Sequence, residues 1–162
     1  MKIAILLHNI RSAHNVGSIF RTAESVGASK IYLSGYTPAP TDRFGRVEKK
    51  IEKTALGAEK MLLWEQKTSP YGIIAKLKRE GWAIVGVEQD KRAIDYRKFS
   101  AGGGSSSGGK LKKPTLLIFG NEVRGISPAL RAKCDTLIEI PMHGKKESLN
   151  VSVAVGIILF SL

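Results

Sequence analysis

The sequence predicts an α/β domain, a parallel sheet flanked by helices, and three observations carry that expectation. Short apolar runs recur at Lys2–His8, Lys30–Gly35, Ala83–Glu88, Thr115–Gly120 and Thr136–Met142. They are rich in Ile, Val and Leu and barely alternate, the pattern of strands buried on both faces. Helical patterns lie between them, and parallel strands covered by helices satisfy that alternation most simply.

The first helix follows the first strand: Val16, Ile19, Phe20, Ala23 and Val26 form one apolar stripe at helical spacing. A second is expected over Pro70–Glu80, with Ser69 as N-cap, Pro70 at the first position and Gly81 just past the end. Ser127-Pro128 opens a third, shorter helix by the same logic. Val151 to Leu162 is apolar nearly all round, so it must be buried in the core or against another subunit. The stretch AGGGSSSGG, Ala101–Gly109, reads as a flexible surface loop. Gly104 to Lys110 mimics a phosphate-binding loop, but Leu111 stands where a magnesium-holding Ser or Thr is needed and no strand precedes it.

At 162 residues the chain has the size of one domain, and 43% apolar content fits a folded globule. Lys and Arg outnumber Asp and Glu 26 to 14, a net charge of +12. That excess favours a polyanionic partner, most often nucleic acid. Basic clusters at Arg43–Lys53, Lys91–Lys98, Lys110–Lys113 and Lys145-Lys146 are candidates to track a phosphate backbone. In the first, Glu48/Glu52 and Lys49/Lys53 also fit an exposed, solvated helix face. Cys134 is the only cysteine, so no internal disulfide forms and a reducing cytoplasm is the expected home. The apolar start is too short for a signal peptide, and no run reaches the roughly 20 residues of a membrane span.

Polar residues gather where strands end. HNIRSAHNVGSIFR, from His8, places Asn15, Gly17 and Arg21 at the first strand-to-helix turn, with Gly17 leaving room for the backbone there. LLIFGNEVRGIS brackets Glu122 and Arg124 with Gly120 and Gly125, which permit close approach and a sharp bend. IEIPMHGKKESLNVSVAVG has Pro141 stopping a strand, then Ser148 and Asn150 at the mouth of the last helix. Three polar turns after parallel strands point to one shared cleft at the carboxyl ends of the sheet. No G-x-G-x-x-G follows a strand, which argues against a dinucleotide, and His8, His14 and His143 lack metal-site clustering. His8 and His14 read as hydrogen-bonding or RNA-facing residues.

NVGSIFR, FGNEVRGI and IPMHGKKESLNVSVA together resemble the three signature motifs of the SpoU (TrmH-like) RNA methyltransferases of the SPOUT superfamily. They occur in the family's order and span Asn15 to Ala154. The resemblance implies one SPOUT-type domain over residues 1–162 with a C-terminal deep trefoil knot, an exception to unknotted topology. It implies S-adenosyl-methionine as cofactor, no metal, and a homodimer formed through the knot and C-terminal helix. The activity implied is methylation of a ribose 2′-hydroxyl in tRNA or rRNA. The alternatives are base methylation, as in other SPOUT branches, and a catalytically silent RNA-binding protein of the same fold.

Carried over by motif, Arg21 lies beside the 2′-hydroxyl and Asn15 helps to position it. Glu122 positions Asn15 and substrate groups across the dimer, and Ser148 and Asn150 line the cleft near Arg21. Gly120, Ile140 and Leu149 match positions whose backbones cradle the cofactor; Glu88, outside the motifs, is a further candidate cofactor contact. Arg21 acts either as the base, assisted by substrate phosphate, or as an electrostatic clamp on the developing alkoxide. Many relatives carry an added RNA-binding domain or basic end helices. Neither is visible here, which points to a compact target such as a tRNA arm or to recognition shared across the dimer.

Overall fold

The structure is a computed structural model that describes residues 2–99, 113–145 and 148–162. The Gly/Ser stretch at 101–109, the phosphate-loop mimic, and parts of the basic clusters at 110–113 and 145–146 lie outside the described residues.

The sheet holds β1 (Ile3–His8), β2 (Lys30–Ser34), β3 (Trp64–Lys67), β4 (Ala83–Val87), β5 (Ile94–Asp95), β6 (Thr115–Phe119) and β7 (Thr136–Glu139). Their order is β3-β2-β1-β6-β4-β7-β5, and every pairing is parallel. The helices are α1 (Ala13–Ser25), α2 (Lys49–Ala55), α3 (Ala58–Met61), α4 (Tyr71–Arg79), α5 (Pro128–Arg131) and α6 (Val151–Ser161), with one 3₁₀ turn at Tyr96–Lys98.

The register explains why the central strands read as unbroken apolar runs. Ile5, Leu7, Ile31, Leu33, Val85, Leu117 and Phe119 pack under α1, α2, α3 and α6. Their neighbours Ala4, Leu6, Ile84, Leu116 and Ile118 pack on the opposite face under α4 and α5. Both faces are therefore dry. The apolar stripe of α1 supplies Val16, Ile19, Phe20 and Ala23 to the first layer, whereas Val26 is the half-buried C-cap.

Local caps set the helix starts. Ser12 Oγ accepts the Asn15 N–H at 3.2 Å, Ser127 Oγ the Leu130 N–H at 3.3 Å, and Asn150 Oδ1 the Ser152 N–H at 2.8 Å. The helix expected over Pro70–Glu80 begins one residue later, at Tyr71, with Pro70 in the cap position. Ser69 Oγ instead accepts the Tyr71 N–H at 3.4 Å.

Gly17 requires a correction. It is not at a ligand turn but buried inside α1, where a Cβ would collide with Thr54 Oγ1 and come within 2.5 Å of the Ile51 carbonyl. Its missing side chain lets α1 cross α2, and Thr54 Oγ1 donates to the His14 carbonyl at 3.0 Å to hold the crossing. Within this chain the last helix is buried on one face. Val155, Ile158 and Leu159 are buried, while Val153 and Phe160 are 50% and 69% exposed. Among the described residues no helix is long and apolar enough to cross a membrane.

Candidate active site

The central strands β6, β4 and β7 end beside a cavity of about 390 Å³. Glu88, Gly120, Ile140 and Leu149 all line it, as do Glu122 and Ser148. The expected cofactor set is thus gathered in one place, at the carboxyl ends of parallel strands.

The wall after β6 is a tightly returned loop. A Cβ on Gly120 would lie 2.5 Å from the Gly125 carbonyl carbon and oxygen and 2.6 Å from the Ile126 nitrogen, so only glycine fits. Gly125 itself has φ +63°, and a Cβ there would strike the Glu88 carboxylate. Glu88 Oε2 accepts the Ile126 N–H at 2.5 Å and Oε1 the Gln89 N–H at 3.1 Å. Glu88 therefore acts as a brace for the cavity wall, whatever it also presents to the interior.

Asn121, which the motif reading passed over, is the hub of this loop. Its Oδ1 accepts the N–H groups of Val123 at 3.0 Å and Arg124 at 2.8 Å. Its Nδ2 donates to the Asn9 carbonyl at 3.0 Å and to the Tyr36 hydroxyl at 2.9 Å. A short amide between two glycines is the signal that could have found it.

A chain of hydrogen bonds then joins the three polar turns. Asn15 Nδ2 donates to Glu122 Oε1 at 3.3 Å, and Asn150 Nδ2 donates to Asn15 Oδ1 at 3.2 Å. Glu122 Oε2 also accepts the Arg11 N–H at 3.3 Å. Glu122 and Asn15 meet within a single chain.

Arg21 is not brought to this cluster. It lies six residues after Asn15, roughly 120° round α1, and is exposed. Among the described residues its guanidinium takes no hydrogen bond and no ion pair.

Charge on the wall opposes the charge of the chain. Among the described residues the wall holds Glu88, Glu122 and Glu139 against one cation, Arg124, although the whole chain carries +12. His8 is neutral and structural: its Nε2 accepts from Asn9 Nδ2 at 3.1 Å, its Nδ1 meets Ser34 Oγ at 2.8 Å, and burial lowers its pKa. Burial and the neighbouring Asp135 raise the Cys134 thiol to about 11, so it is no nucleophile at neutral pH. Among the described residues no group of three or more His, Cys, Asp or Glu is placed to hold a metal ion.

A parallel α/β sheet with a glycine-cradled acidic cavity at its carboxyl edge defines a small-molecule-binding doubly wound domain. The chain belongs to the SpoU rRNA Methylase family, whose model matches residues 2–160. It is 32% identical over 158 residues to a tRNA (guanosine(18)-2′-O)-methyltransferase of Aquifex aeolicus, covering 98% of this chain and 67% of that relative. It is 29% identical to the 23S rRNA (guanosine-2′-O-)-methyltransferase RlmB of Pseudomonas syringae pv. tomato, covering 98% of this chain and 56% of the relative. The SpoU methyltransferase AviRb of Streptomyces viridochromogenes, in complex with AdoMet, superposes with a TM-score of 0.81 at 26% identity, over 98% of this chain and 58% of that one. This chain thus spans little more than half to two thirds of the length of these proteins.

Proposed function

We propose that this protein transfers a methyl group from S-adenosyl-methionine to a ribose 2′-hydroxyl in tRNA or rRNA. The observation that carries the reading is the Glu122–Asn15–Asn150 hydrogen-bond chain at the lip of the acidic cavity. It unites three segments of the sequence around a site with the right electrostatics. The printed activities of the tRNA and rRNA relatives support the same reading.

The cavity fits the cofactor. Gly120 admits close backbone approach, Ile140 and Leu149 supply apolar wall, and the carboxylates of Glu122 and Glu139 suit a ligand bearing a sulfonium and an ammonium. When bound, S-adenosyl-methionine supplies an electrophilic methyl with a neutral leaving group, so the chain's own residues need only position and polarise the acceptor oxygen. Asn15, its amide fixed from both ends by Glu122 and Asn150, orients the sugar. Ser148, on the cavity wall, offers a hydroxyl to the same region. Arg21 clamps an RNA phosphate and stabilises the charge that grows on the 2′-oxygen, whose proton passes to solvent water as the O–CH3 bond forms and the sulfonium leaves as a neutral thioether. A guanidinium presents five donors and no acceptor, which suits a clamp better than a base.

The remaining parts of the reading are proposals of the same kind. Residues 1–162 act as a single SPOUT-type domain whose C-terminal segment forms the trefoil knot; the late strand β7 lying between β4 and β5, and α6 returning onto α1, support it. The domain works as a homodimer, supported by the apolar residues Val153 and Phe160 exposed on α6. The partner subunit then brings Arg21 to the cleft that a single chain leaves without it. Its single, half-buried thiol suits the cytoplasm.

The test is transfer of labelled methyl from S-adenosyl-methionine to unmodified tRNA and rRNA transcripts. Label recovered in dinucleotides resistant to alkaline hydrolysis is the expected result; label on bases, or tight RNA binding with no cofactor binding, overturns it. Light scattering should return twice the 17.6 kDa chain mass, and a monomer at micromolar concentration overturns the dimer.

A further inference from the structure

We infer that the loop after β2 is a stacking platform for an unpaired base of the RNA, with Phe44 as the platform and Arg43 and Arg46 as its phosphate contacts. The inference rests on the methyltransferase reading only for the identity of the polymer. Thr41 and Val47 pair across the loop as an antiparallel bridge, and Gly45 turns it with φ +78°. Asp42 staples the tip from inside: its Oδ1 accepts the N–H groups of Phe44 at 2.8 Å and Arg46 at 2.9 Å, and its Oδ2 accepts Arg46 Nε at 2.7 Å. The Arg46 backbone N–H and guanidinium hold that carboxyl below its ordinary range, so the staple is ionised at neutral pH.

What this stapled tip displays is Phe44, a residue 68% exposed. The guanidinium of Arg43 lies 4.7 Å and that of Arg46 5.3 Å from the ring centroid. A phenylalanine held out in water by a dedicated carboxylate does nothing for the core. Flanked by two cations, it has the composition of single-strand nucleic-acid sites, where bases stack on aromatic faces and arginines meet the backbone. Exposed Lys49, Lys50 and Lys53 of α2 continue the positive surface. The loop also stands on the correct edge of the sheet. Tyr36, from the same exit of β2, receives the hydrogen bond of Asn121 beside Glu122.

The experiment is fluorescence anisotropy with an unmodified tRNA transcript pool and with a labelled single-stranded oligouridylate, on wild type, Phe44→Ala, Phe44→Trp and Arg43→Ala. Phe44→Ala should raise Kd about tenfold for both RNAs, Phe44→Trp should retain affinity, and Arg43→Ala should lower the salt slope by about one. Thermal melts should coincide, because the ring is exposed. Wild-type affinity in Phe44→Ala overturns the inference, and a loss of dimer mass in that variant makes the loop a protein contact instead. Wild type that binds neither RNA fails one step earlier, at the methyltransferase reading, and takes this inference with it.

Discussion

The cavity wall after β6 and the outer face of α1 are opposite kinds of structure. In the wall, Gly120, Gly125 and Glu88 interlock so closely that no added carbon fits, and Glu88 accepts the Ile126 and Gln89 N–H groups. On α1, Arg21 stands exposed, and its guanidinium takes no hydrogen bond or ion pair among the described residues. The comparison teaches that a single chain packs the cavity wall tightly yet leaves Arg21 free in solvent, and on the proposed reading that exposed arginine belongs to the acceptor side of the site.

The largest expected effect comes from that arginine. Arg21→Ala should lower methyl transfer by about a hundredfold or more, in the range for losing one preorganised charge donor, with the melting temperature and cofactor affinity of wild type. A large drop in melting temperature would break the comparison, because it would make Arg21 part of the folded framework. Gly120→Ala should behave in the opposite way. Its Cβ meets backbone rather than a movable side chain, so the loop must shift at a cost of about 1–3 kcal/mol, and calorimetry should show cofactor binding lost along with stability. If Gly120→Ala melts like wild type and binds cofactor, the wall is softer than its packing implies.

The smallest effect is a pH dependence. His8 has a folded-state pKa below its ordinary 6.5 because burial disfavours its charged form. Above pH 6.5 folded and unfolded chains are both neutral there. As pH falls below 6.5 the unfolded chain takes up the proton first, so stability declines until the folded pKa is reached. His8→Gln should flatten that part of the melting curve. Asp90 and Asp95, held at about 2 by their hydrogen bonds to Arg92 and Arg97, lose their contribution from just below pH 4 down towards 2. The two windows are therefore separable by titration.

The same contrast governs what was legible in the sequence. The five buried strands announced themselves because both their faces are dry. The two missed strands, β3 and β5, are the sheet edges: Trp64–Lys67 is polar at three of its four positions, with Glu65 in an ion pair to Lys30 at 2.7 Å, and Ile94–Asp95 is only two residues long. Edge strands carry no continuous apolar run, so periodicity is silent about them. Four of these five strands, all but β1, also end one to three residues earlier than their runs implied, and the difference (Gly35, Glu88, Gly120, Ile140) is the material of the site and its surroundings. Glycine's role was legible only as a permission. Gly120 uses it beside a cavity and Gly17 between two helices, and nothing short of the packing tells those apart. Asn121 was hidden for a related reason: its work is done on backbone groups that only the folded loop brings within reach.

The strand order has a consequence for how the protein is made. β6 lies between β1 and β4, and β7 between β4 and β5, so the sheet receives its middle members after its neighbours. From His8, where β1 ends, to Phe119, where β6 ends, a ribosome adding roughly 5–20 residues per second needs on the order of ten seconds. Throughout that interval one side of β1 presents unpaired N–H and C=O groups beside apolar side chains, a template for the wrong partner. The emerging chain must therefore be sheltered, or kept loosely packed, until its own later strand arrives to fill the gap.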